Sequence, residues 1–491
     1  MSIIAISVLR YCALSAATVV ALGLGGCAVG PDFVRPSPPA VSGYTSSPVS
    51  VVLGAGTGET AQRLAIGKTV SADWWNLFHS HELDQVVRQA LAANQTLTAA
   101  RSTLLEAQQA IIEARGGFFP QLDLSAGAQR QRVSTPQSAG GGVVTGPTSS
   151  TYSLYSLGSA VSYTPDVFGG TRRRLEQAKA LAQNQQYQLA AAYLTLTGNT
   201  VTQAINIASL RLQLQATQRI ITDDETNLRL VERKFRAGKA ARTDVITAQS
   251  QLDNDLAQLP PLRLQLSSAR HALSILSGRF PVDWSPPAFD LSDFTLPPDL
   301  PLTLPSQLVR HRPDILAAEA QLHANSAAIG IATAQLYPNI TLSASFGLQS
   351  LSSSMLFEPS SETSSVAAAL TAPLFHGGVL KAQKQAAIYA YDAALAMYRQ
   401  TVLQAFGQVA DVLRALGYDA QLVAAENRAL ETAQLSLRLQ QLSYAAGKSD
   451  VLQLIDSERT YQQARLGYTR ALTQRYQDTA QLLVALGGGF S

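Results

Sequence analysis

The chain contains the same long sequence pattern twice, and this duplication limits the folds that it can adopt. The pattern begins near Asn94 in the first copy and near Pro313 in the second copy. Matching positions include Pro120 with Pro338, Gly169 with Gly377, Gly198 with Gly407, Gly238 with Gly447 and Gly278 with Gly487. A repeat of this length predicts two copies of one structural unit in a single body, since neither copy closes on itself.

Proline placement predicts very long helices in both copies. No proline occurs between Asp166 and Leu259 or between Leu374 and Ser491, and proline costs about 3 kcal/mol in a helix interior. A helix from Thr171 to Arg236 would be about 100 Å long at a rise of about 1.5 Å per residue. Each long helix is expected to end at an Ala-Gly-Lys element, where glycine can adopt a left-handed cap. A single second helix then returns from that element in each copy.

Two segments in each copy alternate between apolar and polar side chains, as β-strands do. The alternation covers Gln121–Gln129 and Asn339–Leu348, with return strands in Tyr155–Tyr163 and Val366–Leu370. Alternation over about ten residues is typical of outer-membrane barrel strands, which turn apolar side chains toward lipid. A half-buried sheet of a soluble protein is the alternative that the strands alone leave open.

Four strands cannot close a barrel, so the strand count predicts an oligomer. An open sheet edge in lipid leaves unpaired backbone groups that cost several kcal/mol each. Two copies would give eight strands, an interior filled by side chains, whereas three copies would give twelve strands and room for a passage. The long helices of the same copies would form a hollow cylinder, so the expected object is a tunnel.

The repeats and the compositional shifts divide the chain into five segments. Residues 1–26 are a predicted signal peptide, and residues 27–70, rich in Pro, Gly, Ser and Val, are expected to be an extended tether. Repeat 1 covers residues 71–280, with one continuous helix expected near its start, from about Glu82 to Arg115. The proline-rich residues 281–305 form a linker that is expected to pack around the outside of the helical body as an equatorial segment. Repeat 2 covers residues 306–491.

Both cysteines of the chain lie within its first 27 residues. The apolar run Ala13–Leu24 is too short to span a bilayer and is typical of a signal-peptide core. It is followed by Gly25-Gly26-Cys27, which is similar to a bacterial lipoprotein box and predicts lipidation of Cys27. An ordinary signal peptide is the alternative. Ala28 stands where an inner-membrane retention signal usually has Asp, which favours the outer membrane.

Several motifs together resemble the TolC-like outer-membrane efflux proteins. They are Cys27–Phe33, Phe235–Lys239, Thr243–Val245 and Leu454–Arg459, in addition to the doubled unit of strands and helices. Specifically, they resemble the NodT-type, OprM-like lipoprotein branch of that family, and the resemblance covers essentially the whole mature chain.

The resemblance implies a mostly α fold with transmembrane β-strands. A homotrimer would form a 12-stranded outer-membrane barrel, four strands per chain, that continues into a long periplasmic α-helical barrel. The protein would be a lipid-anchored, passive duct for small toxic compounds or drugs, embedded in outer-membrane lipid. It would dock to a periplasmic adaptor protein and to an inner-membrane pump of the RND type, and it would need no cofactor.

The resemblance also implies roles for residues at the tips of the helical hairpins. Leu452 and Asp456 match positions that ring the periplasmic aperture, where three carboxylates would attract cations. Thr247 occupies the position in repeat 1 that Asp456 has in repeat 2, so the ring is not doubled. Candidate adaptor contacts are the tip residues Gly238, Lys239, Asp244, Gly447 and Lys448.

Four other functions differ in how well the sequence supports them. An enzyme is disfavoured because none of the six histidines has a cysteine or carboxylate at metal-ligand spacing, and no catalytic motif is recognisable. A net charge of +3 without a basic stripe disfavours nucleic-acid binding. A structural coiled-coil envelope protein would lack barrel strands. A type I protein-secretion duct would keep the same architecture and change only the exported client.

Overall fold

The computed structural model describes residues 28–46, 52–53, 61–135 and 148–489. In chain order its strands and helices are β1 (Val52–Leu53), β2 (Gln62–Ile66), α1 (His81–Ala93), α2 (Gln95–Gly116), β3 (Gln121–Thr135), β4 (Thr148–Tyr163), α3 (Gly170–Arg236), α4 (Arg242–Leu256), α5 (Leu259–Leu276), β5 (Asp299–Leu302), α6 (Pro305–His311), α7 (Pro313–Ala334), β6 (Asn339–Ser350), β7 (Glu362–Thr371), α8 (Val379–Ala445) and α9 (Val451–Ala485). Within the described ranges, no helix combines the length and the apolar character that crossing a membrane requires. The predicted signal peptide and Cys27 lie outside the described residues.

The chain folds into two compact units. Unit 1 contains the described residues up to Arg35, together with Glu106–Ala182 and Ala320–Leu395. Unit 2 contains Pro36–Leu105, Gln183–Glu319 and the described residues from Ala396 onward. The division falls within α2, α3, α7 and α8, so unit 1 holds β3, β4, β6 and β7 whereas unit 2 holds both hairpin tips.

Unit 1 contains a four-stranded antiparallel sheet with the order β3-β4-β6-β7. Each repeat contributes one hairpin, and the two hairpins pair through β4 and β6. The register places Leu122 beside Val161, Val161 beside Ala344 and Ala344 beside Val366, which makes an apolar row across all four strands. The predicted strands and their alternation are therefore present in the fold.

The apolar face of this sheet is uncovered in the single chain. Leu124 is 79% exposed and Val366 is 88% exposed. The opposite face is polar or small, with Asp123 beside Ala160, Ala160 beside Ser345 and Ser345 beside Ser365 in one row. Contiguous exposed apolar surface of this kind marks a face that meets lipid or another protein.

The single helix expected from about Glu82 to Arg115 is two helices, and this prediction was wrong at Asn94. The backbone of Asn94 is extended, with φ −67° and ψ 126°. Its backbone N–H donates to the Ala90 carbonyl at 2.9 Å, and its side-chain oxygen accepts a hydrogen bond from the Leu97 N–H at 3.1 Å. Asn94 thus ends α1 and caps α2, and its Nδ2 donates to the Leu276 carbonyl at 2.9 Å, which fixes the corner.

The two long helices are confirmed, but the return path in repeat 1 is not one helix. Helices α3 and α8 each have 67 residues, and α9 returns without interruption for 35 residues. In repeat 1 the return is divided into α4 and α5 at Ala257 and Gln258. The prolines at 260 and 261 lack N–H groups, so they fit the first turn of a new helix and not the interior of an old one.

Unit 2 contains a second sheet that the sequence did not predict. Strand β2 pairs with β1 in antiparallel orientation and with β5 in parallel orientation. Leu53, Leu64 and Leu300 are buried in a core that also contains Trp74 and Trp75. The segment expected to be an extended tether and the segment expected to be an outer linker therefore both contribute buried strands to unit 2.

The duplication is visible in the backbone as well as in the sequence. Gly238 and Gly447 have φ angles of 68° and 69°. The matched glycines Gly198 and Gly407, within α3 and α8, differ in their surroundings. A Cβ on Gly198 would lie 2.8 Å from Val484 Cγ2, whereas nothing lies within 4 Å of one on Gly407. Close packing therefore explains why position 198 has no side chain, but it does not explain the glycine at position 407.

Candidate functional site

The tips of the two helical hairpins in unit 2 have the same backbone geometry. At the end of α3 the Lys239 N–H donates to the Lys234 carbonyl at 2.8 Å, and at the end of α8 the Lys448 N–H donates to the Ser443 carbonyl at 2.9 Å. These bonds close Schellman caps, in which the left-handed residue is glycine because a side chain is strained there. Gly238 and Gly447 are therefore required by the turn.

Acidic residues begin the helix that follows each tip. The Asp450 carboxylate accepts a hydrogen bond from the Gln453 N–H at 2.9 Å at the start of α9. The Asp244 carboxylate accepts one from the Ala241 N–H at 2.8 Å at the start of α4. Negative charge is stabilising at helix N-termini, so Asp244 has a capping role that does not depend on any partner.

A small apolar core joins the two tips. Its buried members come from all four helices of the hairpins: Val231, Ala248, Tyr444, Val451, Leu454 and Ile455. The ammonium of Lys234 lies 3.4 Å from the centroid of the Tyr444 ring, a cation–π contact. The two tips are therefore packed against each other within unit 2.

The predicted aperture residues share one exposed face of α9. Leu452 and Asp456 are separated by one helical turn, and Leu452 is 52% exposed. The side chain of Asp456 is 67% exposed, and its Oδ1 accepts from Arg459 Nη2 at 2.8 Å. Of the five predicted adaptor contacts, Asp244 is half-buried, and the other four are exposed: Gly238, Lys239, Gly447 and Lys448. Arg459 is an additional charge on this face that the predicted aperture residues did not include.

Sequence reasoning missed two groups of buried carboxyls between the hairpin helices. The first contains Asp224 of α3, Asp255 of α4 and Glu458 of α9, which we call the carboxyl cluster; each is at most 8% exposed. The second contains Asp419 of α8 and Asp478 of α9. Only 14% of the residues are charged, but this scarcity alone does not separate these acids from solvated ones in the sequence.

The second group has a buried arginine as a neighbour. Burial and the nearby Asp478 raise the pKa of Asp419 to about 7, and the positive charge of Arg475 opposes that rise. Arg475 is 1% exposed, and its Nε donates to Gln62 Oε1 at 3.1 Å. This arginine therefore ties helix α9 to strand β2 as it balances the acidic pair.

In unit 1 the start of the described chain is held firmly beside the first turn of α3. The Val29 N–H donates to the Phe168 carbonyl at 3.1 Å. The buried Arg173 donates to the Gly30 carbonyl at 3.3 Å and to the Asp32 carboxylate at 2.7 Å. We call residues 28–33 together with Arg173 the N-terminal clamp.

Close backbone packing and an aromatic contact complete the N-terminal clamp. Gly30 has φ +95°, and a Cβ there would lie 2.5 Å from the Cα of Gly330. The Phe33 ring stacks on His323 with 4.4 Å between the ring centroids. His323 Nε2 in turn lies 2.9 Å from a carboxylate oxygen of Glu176. The motif after Cys27 thus has a structural reason for its glycine, its acid and its aromatic residue.

Comparison with known proteins decides what this architecture is. The family model described as "Outer membrane efflux protein" matches twice, over residues 86–279 and 304–488. The chain belongs to the outer membrane efflux protein family. The double match coincides with the sequence duplication, and it confirms the predicted resemblance to TolC-like efflux proteins.

Relatives and a solved structure of the efflux family extend over nearly the whole chain. The pyoverdine export outer membrane protein OpmQ of Pseudomonas aeruginosa is 31% identical over 431 residues, which cover 87% of this chain and 90% of OpmQ. The toluene efflux pump outer membrane protein TtgF of Pseudomonas putida is 29% identical, and 96% of each chain is covered. The structure of the outer-membrane channel OprN has a TM-score of 0.81 at 26% identity, covering 94% of this chain and 100% of OprN.

The family identifies the broad function. The protein is an outer-membrane efflux component, and its fold is that of TolC-family channels. Members of this family are channels and not enzymes, so the enzymatic alternative loses its support. A structural coiled-coil protein without barrel strands is likewise inconsistent with the four-stranded sheet of unit 1.

Proposed function

We propose that three copies of this chain form a passive export duct through the outer membrane. Each copy supplies four strands to a 12-stranded barrel, and the hairpin helices of the three copies continue as a periplasmic helical barrel. The observation that carries the proposal is the sheet of unit 1, which has an exposed apolar face and two edge strands, β3 and β7. Such a sheet is stable in lipid only when its edges are paired.

The exported compounds are small molecules that are toxic to the cell, including drugs. Two relatives are named for pyoverdine export and for toluene efflux, both small molecules. A protein-secretion duct of type I is the second candidate, because it would use the same barrel and helices. An adaptor protein in the periplasm contacts the tips at Gly238, Lys239, Asp244, Gly447 and Lys448, and an inner-membrane RND-type pump supplies the energy.

Cys27 carries the lipid that anchors the chain. Support comes from the N-terminal clamp, which begins one residue after this cysteine and lies in the same unit as the barrel strands. An acyl chain there would enter the membrane beside the sheet.

The test of the proposed function uses the full-length protein purified in detergent. Cross-linking is expected to give a trimer, and reconstitution into planar bilayers is expected to give ion-conducting channels. A deletion strain should become sensitive to a panel of toxic small molecules, and the wild-type gene should restore its resistance. A water-soluble monomer that forms no channel would contradict the proposal, and a defect confined to secreted proteins would favour the type I alternative.

Replacing Asp456 with alanine tests the predicted aperture. Charges about 4 Å apart in water interact by about 1 kcal/mol. Removal of the ring of three carboxylates is therefore expected to lower the preference for cations about fivefold. Because the ring is expected to help close the periplasmic end, we expect total conductance to rise and cation preference to fall in planar bilayers.

Arg459→Ala is the matched control, since Arg459 is the ion-pair partner of Asp456 on the same face. This variant leaves the carboxylates unpaired and should increase cation preference. Unchanged conductance and unchanged ion preference in Asp456→Ala would remove Asp456 from the aperture.

A further inference from the structure

The carboxyl cluster brings acids from three helices into one buried place in unit 2. Asp224 on α3 and Asp255 on α4 are each 4% exposed, and Glu458 on α9 is 8% exposed. Asp223, also on α3, lies at the exposed rim of the cluster. Carboxylates are almost never buried this fully unless they are paired with positive charge.

Hydrogen bonds satisfy only part of the cluster. Asp255 accepts from the side-chain amides of Gln251 and Gln258, both at 2.7 Å. Asn227 Nδ2 donates to Glu458 at 3.4 Å. In the described part of the chain, Oδ2 of Asp224 and Oδ1 of Asn227 are buried without a hydrogen-bond partner. The oxygen of Asp224 that has no partner makes this carboxyl the member best able to hold a proton.

The electrostatic surroundings agree with this assignment. Burial, then Asp255 and Glu458, raise the pKa of Asp224 to about 8. Burial and Asp223 raise the pKa of Glu458 to about 7. Burial raises the pKa of Asp223 as well, and the positive charge of Arg465 on α9 opposes that rise.

A metal ion does not account for these acids. No group of three or more His, Cys, Asp or Glu side chains within the described ranges is arranged to hold one. Lys234, the nearest ammonium toward the tip on α3, lies over the Tyr444 ring. Protonation would relieve the repulsion between the buried carboxyls.

We propose that the carboxyl cluster is a pH-sensitive switch that holds α3, α4 and α9 together when protonated and loosens the hairpin tips when deprotonated. This regulation rests on the proposed function as an export duct, because the tips are its periplasmic end. Asp224 lies about 18 Å from the end of α3 at a rise of about 1.5 Å per residue. The same three helices supply Val231, Ala248 and Leu454 to the tip core.

The direction of the pH effect follows from linkage. The folded, closed arrangement binds protons that the loosened arrangement releases, because burial raises the pKa of Asp224 and of Glu458. Closure is therefore complete at a pH below the ordinary carboxyl range and weakens as pH rises toward about 7 to 8. Each proton released changes the ratio of loosened to closed tips by up to about tenfold per pH unit.

The experiment measures the full-length protein at a series of pH values from about 5 to about 8.5, a range chosen to cover both raised carboxyls. Hydrogen exchange, corrected for intrinsic rates, reports opening in residues 218–236 and 242–256, and bilayer conductance reports the duct. The wild-type protein should open and conduct more as pH rises. Asp224→Asn replaces the carboxyl with a neutral amide of the same shape that can donate to Asp255. In this variant the increase of opening with pH should be smaller by up to about tenfold per pH unit. Its conductance should be low at every pH.

Two further variants make the result specific. Glu458→Gln should remove the part of the pH response nearest pH 7, whereas Asp253→Asn, an exposed acid on α4, should behave as wild type. Opening controlled by Asp419 and Asp478 would appear around those residues and not in the two segments measured. A wild-type exchange profile that is flat with pH, or an Asp224→Asn profile equal to wild type, would overturn the switch. Absence of conductance at every pH would instead contradict the proposed duct, and the exchange data would still decide about the cluster.

Discussion

Replacing Arg475 with leucine is expected to destabilise unit 2 by about 3–5 kcal/mol, the usual effect of removing one partner from a buried charged group. The guanidinium is almost fully buried, and it also donates to the Leu53 carbonyl at 3.5 Å. Without it, Asp419 and Asp478 would face each other in the core without a positive neighbour. Strand β2 would lose the hydrogen bond that Arg475 donates to Gln62.

The loss in Arg475→Leu should depend on pH, and this distinguishes it from a simple packing defect. The pKa of Asp419 is already raised by burial and would rise further without the arginine. A raised carboxyl pKa gives stability that is present at low pH and lost as pH increases. Thermal unfolding in detergent should therefore show a larger defect at alkaline than at acid pH. Arg459→Leu, on the exposed surface of the same helix, should change stability by about 0.5 kcal/mol or less, and equal shifts in both variants would refute the interpretation.

The second large effect is expected for Gly278→Ala. Gly278 ends α5 with φ +68°, and alanine in a left-handed conformation costs about 1–2 kcal/mol. The new Cβ would also collide with the backbone carbonyl of Ala93. Since a backbone atom cannot rotate away, the chain must shift, and overpacking of this kind adds about 1–3 kcal/mol. The combined loss should lower the unfolding temperature of the purified protein clearly.

Gly447→Ala provides a closely matched control. Gly447 has φ +69° in the same type of helix cap, but nothing lies within 4 Å of the Cβ position. Its substitution should cost only the conformational part, about 1–2 kcal/mol. The difference between the two variants measures the contact with Ala93. If both glycines gave the same loss, the close approach at Gly278 would not be a constraint in solution.

The sequence was sufficient for features that depend on periodicity or on proline. The alternation in Gln121–Gln129 predicted β3, and the long interval without proline predicted the 67-residue helix α3. A glycine follows each long helix, and glycine at that position indicates a left-handed helix cap, so the sequence predicted both tips. These signals are local, so one sequence reveals them.

Features that depend on contacts between distant segments could not be predicted. Asn94 divides α1 from α2 because its side chain bonds to Leu276, a partner 182 positions away. Strand β2 is short, and its partner β5 lies in a proline-rich segment that offered no strand pattern. The carboxyl cluster likewise combines three helices, so neither Asp224 nor Glu458 differed in sequence from a solvated acid. Tertiary packing decides all three cases.

The N-terminal clamp leaves very little slack ahead of the folded body. Position 27 precedes Val29 by two residues, which can span at most about 7 Å, and Val29 is already bonded to the Phe168 carbonyl. A pull on any group carried at position 27 would therefore be transmitted directly to Arg173 and the first turn of α3. Any group at position 27 would therefore be held close to unit 1 by a short, firmly bonded segment.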